Sequence, residues 1–133
     1  MANAAIKKAR PKYLSLAALL FEIRLPLAGW VSILHRLSGA LLFVGTAWLL
    51  YLLDRSLASE AGFESVRNYA AHPVVKVGLL VLIWSYCHHF CAGVRFLLLD
   101  LHIGIEMPAA RRSGVAVILV ALALTALFGA RLL

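Results

Sequence analysis

The sequence predicts an all-α integral membrane protein with three transmembrane helices, and three observations lead there. Of the 133 residues, 63% are hydrophobic and only 14% are charged. A soluble domain is about half apolar and about a quarter charged, so the polar surface here is too small to coat a water-soluble fold. Three apolar runs are long enough, or nearly so, for the roughly 20 helical residues that a bilayer core requires. The charges collect at the ends of those runs, the usual place for basic residues that stop at a membrane surface.

Residues 1–12 are polar and basic, carrying Lys7, Lys8, Arg10 and Lys12. The apolar stretch that follows is interrupted by Glu22, Arg24 and Pro26, and Tyr13–Phe21 is too short to span, so it reads as an interfacial segment. No A-x-A site precedes a polar mature domain, so no cleavable signal peptide is expected. Residues 1–28 form an expected cytoplasmic N-terminal segment, and 29–133 an expected three-helix membrane domain.

The first expected span covers about 29–53. From Leu37 to Leu53 there are 17 residues without a charge, closed by Asp54 and Arg55. Trp48 and Tyr51 lie near that end, where amphipathic aromatics favour the interface. Residues 54–73 form a polar connection with room for a short surface helix. The second expected span covers about 74–99, with Lys76 near enough to its start to snorkel outward. Residues 100–112 read as a loop ending in Arg111 and Arg112. The third expected span, about 113–132, is Val, Leu and Ala up to Arg131, and its role is packing.

Basic residues dominate the N-terminal segment and the 100–112 loop. The 54–73 connection carries Asp54, Glu60 and Glu64 against Arg55 and Arg67. The excess of Lys and Arg on one side puts the N-terminus and the 100–112 loop in the cytoplasm; the expected setting of this multi-pass chain is a bacterial inner membrane. The formal net charge of +7 does not indicate nucleic acid, because the cations flank membrane spans. Cys87 and Cys91 stand i, i+4 inside an apolar run, a spacing that rarely meets disulfide geometry within a regular helix.

Ionisable residues inside a membrane are costly, and each is a functional hypothesis by default. Here they cluster: Ser32, His35, Arg36 and Ser38 on the first span, His88, His89 and Arg95 on the second. With Gly29 and Asp100 as cytoplasmic ends, His35 and Arg36 lie about 9–10 Å deep, Arg95 about 7–8 Å, and His89 about 16 Å. A deep neutral imidazole with cations one or two turns shallower suits a b-type haem whose propionates face the cytoplasm and meet Arg95, His35 or Arg36 there. Gly93, one turn from His89, offers a flat macrocycle a close approach. The same residues admit plainer readings. His89 can hydrogen-bond a neighbouring helix, Arg36 and Arg95 can snorkel, and Ser32 and Ser38 can return their hydroxyls to their own helix.

The segment Ser32-Ile33-Leu34-His35-Arg36-Leu37-Ser38-Gly39, after Arg10-Pro11, resembles the cytochrome b membrane subunits of succinate dehydrogenase. His89-Phe90-Cys91-Ala92-Gly93-Val94-Arg95, followed by Leu97-Leu98-Leu99-Asp100, resembles the second motif of that family. The likeness runs over nearly the whole chain. It implies one of two small membrane anchors of respiratory complex II, which hold a flavoprotein and an iron–sulfur protein and pack against each other. It implies a haem b shared between the anchors, with His89 as one axial ligand to iron and the partner anchor supplying the other. It implies His35 and Arg95 at the haem propionates, and Ser32 and Arg36 at the site where quinone, the substrate, is reduced. Asp100 falls near that pocket, a place from which to deliver protons. His88, about 100° around the helix from His89, reads as packing, with the ligand role as its alternative. Related bacterial chains often carry histidine where this one has Phe96. The chain by itself has no catalytic constellation for succinate. Quinol:fumarate reduction and a haem-free structural anchor are the competing readings.

Overall fold

The computed structural model describes residues 25–132. The basic segment up to Arg24, including Tyr13–Phe21, lies outside the described residues. Four helices follow one another: α1 Leu27–Ala58, α2 Glu60–Ala71, α3 Pro73–Asp100 and α4 Met107–Gly129. Three of them, α1, α3 and α4, are long and apolar enough to cross a membrane.

Pro26 precedes α1, and its carbonyl accepts from Gly29 and Trp30. The helix continues past the end of the apolar run at Leu53, because the backbone ladder does not need lipid to persist. At about 1.5 Å per residue α1 is about 48 Å long, against about 30 Å of hydrocarbon, so it tilts or protrudes. The break comes at Ser59, whose extended backbone ends α1 and whose hydroxyl caps α2 by accepting from the Gly62 amide at 3.0 Å. His72 caps α3 in the same way, accepting from the Val74 amide, with Pro73 in the first turn. The 54–73 connection is therefore mostly helix. α4 starts at Met107, ahead of the run that begins near 113, because Pro108 is tolerated in a first turn.

The long helices alternate in direction. His35 meets His89 while Gly45 meets Leu82, so α1 and α3 run antiparallel. Arg95 meets Ser113 while Leu80 meets Gly129, so α3 and α4 do too. α3 packs against both of the others. The centre is a small cluster of Val31, Ala92 and Val117, one residue from each long helix, with Cys91, Phe96 and Ile118 against it. Lipid tails are as apolar as leucine, so close approach through small residues drives association here. Gly45 takes the Leu82 side chain, and Gly129 that of Leu80. Outward side chains are large and apolar, with Phe43 83% exposed.

Backbone and hydroxyl groups are satisfied inside the helices, as a bilayer demands. Thr46, Ser85 and Thr125 donate to the carbonyls four residues back, and Ser56 to the one three back. At the α3–α4 corner, the His102 and Ile103 amides donate to the carbonyls of Leu99 and Leu98. His102 and Gly104 take left-handed backbone there, with φ of 61° and 73°.

Candidate functional site

The polar residues of α1 and α3 meet at one level of the α1–α3 interface. His89 is half-buried in it, while its neighbour His88 points into the three-helix core and is 1% exposed. One helical step of about 100° separates the two environments. His88 stacks on Trp84 with ring centroids 5.4 Å apart, and its Nε2 has no hydrogen-bond partner among the described residues.

The His89 ring lies across α1. Its Nδ1 is 3.0 Å from the backbone carbonyl oxygen of His35 and 3.4 Å from Ser38 Oγ. Ser38 is fully buried and donates its own proton to that carbonyl at 2.9 Å. A carbonyl accepts only, so Nδ1 carries a proton, and in the neutral ring the lone pair is on Nε2. Gly39 makes room for the ring: a Cβ there would stand 2.9 Å from His89 Cε1.

The His35 side chain stacks on His89, with centroids 4.1 Å apart and planes 13° from parallel. Its other flank meets Phe96 at 5.2 Å, and its Nε2 lies over Gly93. Phe96 thus fills a place beside His35 with an apolar ring. Ser32 and Arg36 stand one turn apart on α1, Ser32 half-buried and Arg36 exposed. Neither has a hydrogen bond or ion pair among the described residues.

Arg95 goes elsewhere. It is 5% exposed and turns toward α4, where Nε donates to Ser113 Oγ at 3.0 Å and Nη2 to the Ala110 carbonyl at 3.3 Å. Its guanidinium also lies 5.4 Å from the Phe96 ring centroid, within cation–π range. Among the described residues no carboxylate pairs with it. Arg67 and Glu64 form an exposed ion pair on α2. The sequence cluster therefore divides: His35, Ser38 and His89 meet, Ser32 and Arg36 share a neighbouring face, and Arg95 closes the α3–α4 corner. Asp100 is the last residue of α3 and is exposed.

The donor set suits one axial position of a haem. The His89 imidazole is held by a backbone carbonyl through Nδ1, which is how metal-bound histidines are commonly fixed, and it would present Nε2 to the iron. The His35 and His89 rings are stacked face to face, not set opposite one another across a gap. Among the described residues there is no cluster of three or more His, Cys, Asp or Glu side chains that could hold a metal ion. The close fit of Gly39 against His89 was hidden in the sequence, where Gly39 reads as an ordinary packing glycine.

Comparison with known proteins gives a consistent result. A family model described as succinate dehydrogenase/fumarate reductase transmembrane subunit matches residues 8–128. The succinate dehydrogenase cytochrome b556 subunit of Paracoccus denitrificans is 32% identical over 100 residues, 71% of this chain and 73% of its own. That of Coxiella burnetii is 31% identical over 102 residues, 76% of this chain and 82% of its own. That of Rickettsia prowazekii is 30% identical over 97 residues, 73% and 75% respectively.

Proposed function

The chain belongs to the succinate dehydrogenase/fumarate reductase transmembrane subunit family, and from that premise we propose that it is a membrane anchor of a succinate:quinone oxidoreductase. In this reading it binds haem b jointly with a second anchor subunit and forms part of the quinone-reduction site. A flavoprotein and an iron–sulfur protein dock on its cytoplasmic side, where the basic N-terminal segment and the α3–α4 corner lie. The names of the relatives support this assignment, each being a succinate dehydrogenase cytochrome b556 subunit.

The observation that carries the haem assignment is the 3.0 Å contact between His89 Nδ1 and the His35 carbonyl. It leaves Nε2 as the ligating atom. Haem b, when bound, supplies a one-electron carrier beside the path to quinone. His35 lines the edge of the site through its stacked ring. Arg95 spends the N–H of Nε and one of Nη2 on α4, so the two N–H of Nη1 and one of Nη2 would be its donors for a propionate. Ser32 Oγ donates a hydrogen bond to one quinone oxygen. The Arg36 guanidinium stabilises negative charge developing on that oxygen as two electrons arrive, before two protons complete the quinol. Asp100, exposed at the cytoplasmic end of α3, accepts protons from water for that step.

The test is a reduced-minus-oxidised absorbance spectrum of the detergent-purified complex, with and without His89→Ala. A low-spin b-type band that is lost or changed in the variant is the expected result. Absence of such a band from the unaltered complex would overturn the haem assignment and leave a haem-free anchor.

A further inference from the structure

Ser38 repeats a pattern seen elsewhere in α1 but with a different outcome. Ser56 returns its hydroxyl to the carbonyl three residues back in an exposed hydrogen bond. Ser38 makes the same bond, to His35, yet is fully buried, and its oxygen also faces His89 Nδ1 on α3 at 3.4 Å. The one hydroxyl proton is spent on the carbonyl, so toward His89 the serine offers a lone pair. Nδ1–H thus sits between two acceptors, the His35 carbonyl at 3.0 Å and Ser38 Oγ at 3.4 Å.

Two acceptors do what one does not. A single carbonyl lets the ring swing about its Cβ–Cγ bond while keeping the hydrogen bond. A second acceptor on one side restricts that swing and disfavours the tautomer with a bare Nδ1, whose lone pair would face two others. Gly39 completes the seat, since a Cβ there would crowd the ring at Cε1.

We propose that Ser38 is a positioning residue for the haem iron ligand: its buried oxygen and the His35 carbonyl together fix the tautomer and the plane of the His89 imidazole. This rests on the reading of His89 as an axial ligand. Partners of this kind typically account for about 10–100-fold in metal affinity.

The test uses the whole complex in detergent, with Ser38→Ala, the near-isosteric Ser38→Cys, whose sulfur is a weak acceptor, and Ser56→Ala as control. Two readouts are independent of turnover: the rate of haem transfer to excess apomyoglobin, and the g values of the low-spin ferric signal, which follow the orientation of the imidazole planes. Ser38→Ala and Ser38→Cys are expected to release haem about 10-fold faster, with a shifted low-spin signal. Ser56→Ala is expected to match the unaltered complex. Release at the unaltered rate with an unshifted signal in both Ser38 variants would overturn the role of Ser38 while leaving His89 as ligand. An unaltered complex without a low-spin b-type signal would overturn the ligand assignment itself, and the inference with it.

Discussion

The imidazoles of His35 and His89, 54 residues apart in the chain, lie 4.1 Å apart and within 13° of parallel. The backbone carbonyl of His35 also accepts from the ring that its side chain covers. One residue of α1 thus meets the same α3 imidazole through both its main chain and its ring. Much of what fixes α1 against α3 at this level is polar, and the following expectations turn on that.

Gly39→Ala adds a methyl group 2.9 Å from His89 Cε1. Overpacking of this kind costs about 1–3 kcal/mol, while replacing a helical glycine with alanine returns about 1 kcal/mol. The net loss of stability is therefore small, but the His89 ring must move. The haem-to-protein ratio of the purified complex is expected to fall while the subunits still copurify. A full haem complement in Gly39→Ala would show that the ring tolerates displacement.

Arg36→Gln removes the cation proposed to stabilise reduced quinone, and Ser32→Ala removes one hydrogen-bond donor. Loss of a preorganised electrostatic group commonly lowers kcat about 100–1,000-fold, and Ser32→Ala is expected to do less. The comparison to make is quinone-linked against soluble-dye-linked succinate oxidation in the same preparation. Only the quinone-linked rate should drop. Equal losses in both would place the defect in assembly and count against a quinone role.

Arg95 and Ser113 are expected to be energetically coupled. Ser113→Ala leaves the buried Nε facing no acceptor, at a cost of about 1–3 kcal/mol. Arg95→Ala removes both bonds to α4, so adding Ser113→Ala to it should cost little more. A double-mutant cycle on denaturant midpoints in mixed micelles is expected to give a coupling of about 0.5–3 kcal/mol. Strict additivity would mean the guanidinium is held by something other than α4.

Topology is open to chemical labelling. With the N-terminal segment cytoplasmic, a cysteine at Glu64 on α2 should react with a membrane-impermeant maleimide in intact cells or spheroplasts. One at Arg112 should react only after permeabilisation. The native Cys87 and Cys91, inside α3, give the background. The reverse labelling pattern would invert the assignment of sides.

The fold class was legible because hydropathy reports the solvent of each segment directly, and lipid leaves a strong signal in Leu37–Leu53 and in the all-apolar stretch of α4. Helix ends were less legible. The ladder of α1 runs on through Asp54 and Arg55, and that of α4 begins at Met107, where composition is already polar. The cap formed by Ser59 with Glu60 after it was the available signal for α2. At the candidate site, rise per residue put His35, Arg36 and Arg95 in one layer, which fixes height. Height says nothing about azimuth. Arg95 lies six residues from His89, about 120° around the helix, and faces α4. The pairing of Gly39 with the His89 ring depends on which faces meet, a tertiary fact that single-chain periodicity does not carry.

Only three of the 32 residues of α1, Val31, Ser38 and Gly45, are buried within this chain. In a bilayer such a helix loses little by being lipid-exposed, but it gains little from its own siblings either. Its residence in one orientation is then set by mass action with whatever covers its outer side. Abundance of this chain in the cell should follow the supply of its assembly partners more than its own folding energy, with surplus copies turned over by membrane proteases. Balanced synthesis, in that sense, is written into the shape of α1.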